Sequence, residues 1–299
     1  MAHSHVLAGA GIRPAHPIIR KISPADLVDA LRNGYADLAA MPSHAVFLCL
    51  IYPVVGLIVW RIAIGYDVLP LLFPLAAGFA LLGPFAALGL YELSRRREQG
   101  LEPYWSHAFD VFRSPSFGAI AVLGLLLVVI FFVWLAVAQA IYGSAFGDAP
   151  AASVPDFFRQ VLTTPAGWTL ILVGNGVGLL FAMLVLVIGV VSFPLLLDRD
   201  VGAAVAVLTS IRAVLANPLT MALWGLIVAV LLLLGSLPFL VGLTVVMPLL
   251  GHATWHLFRK VVEPDPNPHP EYHPRPQGPR YAADFPAVLF PWARERKRG

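Results

Sequence analysis

FGAIAVLGLLLVVIFFVWLAVAQAIY, residues 117–142, decides the fold class. The stretch holds no Asp, Glu, Lys, Arg or His, and its main polar side chain is Gln139. A helix needs about 20 apolar residues to cross the hydrocarbon of a bilayer, so this one spans it with length to spare. In lipid, backbone polar groups must be satisfied within the segment, which leaves helix as the form a single stretch takes.

The rest of the chain agrees. Apolar residues make up 59% of the 299 and charged residues 12%, about half the charged share of a soluble domain. So few charges do not cover a water-soluble fold of this size, and lipid is the solvent for much of its surface. The net charge of +3 is gathered in clusters between long neutral stretches, the pattern of loops between spans, with no reason to invoke nucleic acid as a partner. The lone Cys49 excludes an intrachain disulfide and a multi-cysteine metal site. No uninterrupted apolar run opens the first forty residues, so no cleavable signal peptide is expected and the first span directs insertion.

Spans are expected at about 45–63, 68–93, 117–142 and 168–197, with two more between 219 and 257. That last stretch as one helix would be ~58 Å long, well beyond a bilayer, and Gly235-Ser236-Leu237-Pro238 supplies a turn in its middle. The class is therefore all-α, a polytopic membrane protein of six transmembrane helices in three helical hairpins. Ser23 as N-cap, Pro24 at the first position and Asp26 in the first turn start a short helix. Its Leu27, Leu31, Tyr35 and Leu38 recur at helical spacing, which suits an amphipathic helix lying on the membrane surface. Trp105, Phe109 and Phe112 suggest a second interfacial helix. A loop with Asp148, Asp156 and Arg159 follows the third span, and 198–217 reads as a polar segment.

Three blocks result: an irregular N-terminal tail, 1–22; the membrane domain, 23–260; and a Pro-rich tail, 261–299, without the branched aliphatics to build a core. Placing the N-terminus in the cytoplasm puts every Lys and Arg inside except Arg61 and Arg159, so both termini are expected there.

The even-numbered spans end alike. Pro84 is followed by Tyr91-Glu92 and Arg95-Arg96, and Pro248 at the same offsets by Trp255-His256 and Arg259-Lys260. Pro194 with Asp198-Arg199 is a shorter version. Interfacial aromatics followed by basic residues close any inward-going span, and the aligned prolines are what this rule leaves over.

Ionisable residues in membrane helices are costly and make the candidate binding residues: Glu92, Asp198, His252 and His256, all at cytoplasmic ends, which gather at one depth if the hairpins pack together. His252 and His256 lie four apart on one helix face, a spacing that holds a metal if a carboxylate such as Glu92 joins them. Hydrogen-bonded structural histidines are the commoner meaning of this spacing, so no cofactor and no metal is expected. Asn175 sits between Gly174 and Gly178, a GxxxG pair, where close helix packing with Asn175 bonding across the contact outweighs a substrate site. No phosphate-binding loop, HExxH or GxSxG motif occurs, and no catalytic residue is assigned.

The segments Gly83-Pro84-Phe85 through Gly89-Leu90-Tyr91-Glu92-Leu93-Ser94-Arg95-Arg96, Pro194-Leu195-Leu196-Leu197-Asp198-Arg199, and Pro248-Leu249-Leu250-Gly251-His252-Ala253-Thr254-Trp255-His256 together resemble the family of uncharacterised bacterial integral membrane proteins named domain of unknown function 2189. Asn217-Pro218 also fits, and the likeness spans roughly 25–260. The resemblance implies a bacterial inner-membrane protein and brings no established activity. Some members carry a label linking them to cytochrome c oxidase subunit I, whose haem-copper core takes a full set of histidine ligands; here only His252 and His256 come close. The function expected is a non-catalytic accessory, assembly or scaffold component that contacts membrane lipids and other membrane-complex subunits. A small-molecule transporter or lipid-handling protein is the alternative.

Overall fold

The computed structural model describes residues 17–41, 72–147, 154–237 and 240–265, with Val54 and Arg61 isolated between the first two blocks. The first expected span and the Pro-rich tail beyond Asp265 lie outside the described residues. Within them the chain is all-helical. The α-helices are α1 (Pro24–Ala40), α2 (Leu72–Leu81), α3 (Gly83–Ala86), α4 (Leu88–Glu98), α5 (Phe117–Phe146), α6 (Val154–Thr163), α7 (Pro165–Gly189), α8 (Ser192–Asp198), α9 (Ala203–Ala216), α10 (Pro218–Ser236) and α11 (Leu243–Val261). A 3-10 helix, η1 (Trp105–Arg113), precedes α5.

Among the described residues three helices are long and apolar enough to cross a membrane: Phe117–Phe146, the run Pro165–Asp198, and Pro218–Ser236. The second expected span is described from Leu72 onward as α2, α3 and α4, broken at Leu82 and Ala87 around Pro84. Residues 219–257 fall in two helices, α10, which ends at Ser236, and α11, which begins at Leu243. The long fourth span is interrupted after Gly189. There the Val191 amide, freed from the helical ladder, donates to Ser210 Oγ of α9 at 3.3 Å, which satisfies a backbone group that lipid would leave bare.

Other expectations are corrected. The loop after the third span contains α6, supported by Arg159 and Gln160 bonding back to Asp156 at 2.6 and 2.7 Å, the (i, i+3) and (i, i+4) pairs of a helix. The polar segment 198–217 contains α9, which buries Ala203, Ala206, Thr209, Ser210 and Ala213. α1 starts where expected, with the Asp26 carboxylate accepting from Ser23 N and Oγ at 2.9 Å each. Its apolar stripe, however, is spent on protein and not on the membrane surface. Leu27, Ala30, Gly34 and Leu38 are buried while Tyr35 is exposed, and α1 runs antiparallel along α11. The approach is so close that a Cβ on Gly34 would stand 2.6 Å from the Ala253 amide nitrogen.

Residues 17–22 are tied to this core although they form no helix. Arg20 N donates to Val261 O at 2.8 Å and Glu263 N to Ile18 O at 3.0 Å. Asn217, between α9 and α10, accepts from Ile22 N at 2.9 Å and donates to Arg20 O at 3.0 Å.

Candidate functional site

The polar groups collect at one end of the bundle, around the last turns of α4. Pro84 lies in α3 just before α4, Pro194 in the first turn of α8 and Pro248 inside α11, and α4, α8 and α11 pack on one another. A Cβ on Gly251 would meet Leu90 at 2.5 Å, and one on Gly189 would meet Pro84 at 3.2 Å. The helix ends that the proline motif aligns in sequence are thus neighbours in space.

The innermost group joins α1, α4 and α11. Asp37 is buried and receives Ser94 Oγ at 2.6 Å, His256 Nε2 at 2.8 Å and the Arg97 guanidinium. Ser94 Oγ also stands 2.8 Å from His252 Nδ1. Because the single Ser94 proton goes to the carboxylate, Ser94 Oγ accepts from the Nδ1–H of His252. The Nε2 of His252 then carries a lone pair; it is fully buried and has no hydrogen-bond partner among the described residues, a cost of about 1–3 kcal/mol. Burial pushes the Asp37 carboxyl up, but the hydrogen bonds from His256 and Ser94 and the neighbouring imidazoles outweigh it and hold the group below the usual carboxylate range.

This is no nucleophilic triad. In a triad the imidazole takes the serine proton, whereas here the serine lies between imidazole and carboxylate and gives its proton to the carboxylate. Ser94 is itself fully buried, out of a substrate's reach.

Glu92 stands apart from the histidines. Its two oxygens receive Arg95 Nε at 2.8 Å and Arg96 Nε at 2.7 Å, and Arg96 continues to Asp110 of η1 at 2.8 Å. Glu92 is therefore occupied by guanidinium and does not join His252 and His256 as a metal ligand. Among the described residues no group of three or more His, Cys, Asp or Glu side chains is placed to hold a metal ion. Asp198 takes the fork of Arg259 at 2.9 and 3.1 Å, and Arg259 also reaches Glu98 at 3.0 Å. Glu98 accepts from Trp255 Nε1 at 2.9 Å, under an Arg259 guanidinium 4.8 Å from the indole ring.

The four residues expected at one depth thus do share one end of the molecule, but in three ion-pair clusters and not in one ring. Asn175 lies elsewhere and, among the described residues, makes no bond across a helix contact. It is exposed on α7 and donates to Ile171 O of its own helix at 2.7 Å. Nothing stands within 4 Å of a Cβ on Gly174, and Gly178 faces the Trp134 ring. Sequence reasoning missed Asp37, Ser94, Arg97, Glu98 and Arg259 as site members. The (i, i+3) and (i, i+4) spacings of Glu92 to Arg95 and Arg96 were visible; the long-range partners were not.

The chain has no match among curated proteins and none among solved structures at the significance applied. A family model described as a predicted integral membrane protein matches residues 72–198. The matched region holds the motifs at Gly83–Arg96 and Pro194–Asp198, while the third, Pro248–His256, lies beyond it. Residues 72–198 thus resemble the DUF2189 family of predicted integral membrane proteins.

Proposed function

We propose that this protein is a non-catalytic accessory, assembly or scaffold component of a larger membrane complex. It sits in the inner membrane of a bacterium, as six spans in three hairpins, with both termini and the ion-pair clusters on the cytoplasmic side. One observation carries the reading. The three described helices that are long and apolar enough to cross a membrane hold a single Asp, Glu, Lys, Arg or His side chain, Asp198, at the very end of one of them. The two amides further in, Gln139 and Asn175, face outward. The spans offer no polar path through the described bundle, and the carboxylates of Asp37, Glu92 and Asp198 are each neutralised by arginine. Charges arranged this way hold helices together and keep these three carboxylates occupied. The side bearing Arg95, Arg96, Arg97, Arg259 and Lys260 is cytoplasmic by the positive-inside rule.

Purification of a tagged copy from native membranes in mild detergent, with identification of what accompanies it, tests this. A stoichiometric membrane partner is expected; a protein that always purifies alone overturns the reading.

Transport or lipid handling is the second reading, favoured by the helix breaks at Pro84 and after Gly189, which pack against each other. Broken helices side by side mark transporter sites. Proteoliposomes that move a solute or scramble lipid would bring this reading forward, and inert ones would remove it.

A further inference from the structure

We propose that two exposed aromatic ridges, one on η1 and one formed by α6 and the first turn of α7, are phospholipid-binding surfaces that seat the bundle between the two headgroup layers. On η1, Trp105, Phe109 and Phe112 are 46%, 50% and 62% exposed. The opposite face of η1 is anchored: Ala108 and Val111 are buried, and Asp110 holds Arg96. The ridge is therefore presented outward by a docked helix and is not a loose end. Its rings touch in series, Trp105 to Phe109 at 6.2 Å, Phe109 to Phe112 at 6.4 Å and Phe112 to Phe117 at 5.5 Å. Phe117 is the first residue of α5, so the ridge continues into a helix whose outer face meets lipid.

The other end of α5 repeats the arrangement. Tyr142 contacts Phe157 of α6 at 6.4 Å, and Phe157 contacts Phe158 at 5.8 Å. Phe158, Leu162 and Trp168 are each more than half exposed. From Phe117 to Tyr142 the helix rises about 38 Å. The hydrocarbon layer is about 30 Å thick, and about 40–45 Å with the headgroup regions. The ridges thus fall one in each interfacial layer, where aromatic rings with an apolar body are enriched. Arg113 and Arg159 stand next to the two ridges with side chains 65% and 73% exposed, each paired with an aspartate of its own helix, Asp110 at 3.3 Å and Asp156 at 2.6 Å. A protein partner would have to meet two ridges a bilayer apart, whereas phospholipid covers both at once.

The test uses full-length protein in phosphatidylcholine–phosphatidylglycerol nanodiscs, with Cys49→Ser as background and single nitroxide labels at Phe109→Cys, Phe112→Cys and Phe158→Cys. Each replaces an exposed side chain, and the two labels on η1 report the same ridge independently. Collision with oxygen and with a water-soluble nickel complex is compared with labels at Glu102→Cys and Val129→Cys. All three ridge labels are expected to give an oxygen-to-nickel ratio several-fold above Glu102 and below Val129. A ratio equal to Glu102 means the ridge is in water, and one equal to Val129 means it is in the hydrocarbon. Weak collision with both reagents means protein covers it. Each of these three results overturns the proposal.

Discussion

Asp37 is the residue on which most of the polar end depends, since four side chains from α4 and α11 meet at or next to its carboxylate. Asp37→Ala leaves the Arg97 cation, the buried Ser94 and the half-buried His256 without their acceptor. It should lower stability by roughly 2–4 kcal/mol, read as a drop in the thermal midpoint in detergent, with Asp37→Asn intermediate. Its folded carboxyl titrates below the ordinary value of 3.8. The stabilisation is therefore fully present above about pH 4 and is lost as pH falls through the lower folded value. The wild type should lose thermal stability more steeply in that acid range than Asp37→Ala; parallel curves would show that the carboxylate is not what titrates. The His252 and His256 pair was legible, because a four-residue spacing puts both on one helix face. Their partner was not, because Asp37 lies 219 positions from His256 along the chain and the contact exists only through the close passage of α1 over α11.

At the scale of the element, glycine position decides the sign of a substitution. Gly34→Ala adds helix propensity worth about 1 kcal/mol, but its Cβ would press on the backbone of Ala253, and overpacking costs about 1–3 kcal/mol. A net loss of thermal stability is expected, with α1 loosened from α11. Gly143→Ala in α5 meets nothing within 4 Å and should be neutral or stabilising by up to about 1 kcal/mol. Equal effects of the two variants would contradict the docking of α1. The ordering of 17–22 makes a further prediction: Asn217→Ala removes two of its ties and should speed trypsin cleavage after Arg20 and Lys21 severalfold, followed by mass spectrometry. Spans were readable from apolar length, and the start of α1 from Ser23, Pro24 and Asp26. The break after Gly189 was legible only in part: Pro194 has no N–H for the Val190 carbonyl and crowds it, but nothing in the sequence says how the Val191 amide is satisfied. What permits the break is a serine on another helix, Ser210, and single-sequence reading carries no such pairing. α6 was readable and was missed, for the spacing of Asp156, Arg159 and Gln160 is helical.

For the whole molecule, the account rests on a division of the chain. Apolar helices cross the bilayer, their ionisable groups are paired off at one end, and α6 lies at the other. The most direct test labels single cysteines in a Cys49→Ser background with a membrane-impermeant maleimide, in spheroplasts and in inverted vesicles. Glu102→Cys, beside the ion-pair end, and Arg159→Cys, on α6, are joined through α5, which crosses once. The account predicts labelling of Glu102→Cys only in inverted vesicles and of Arg159→Cys only in spheroplasts. Labelling of both positions from the same side would contradict it.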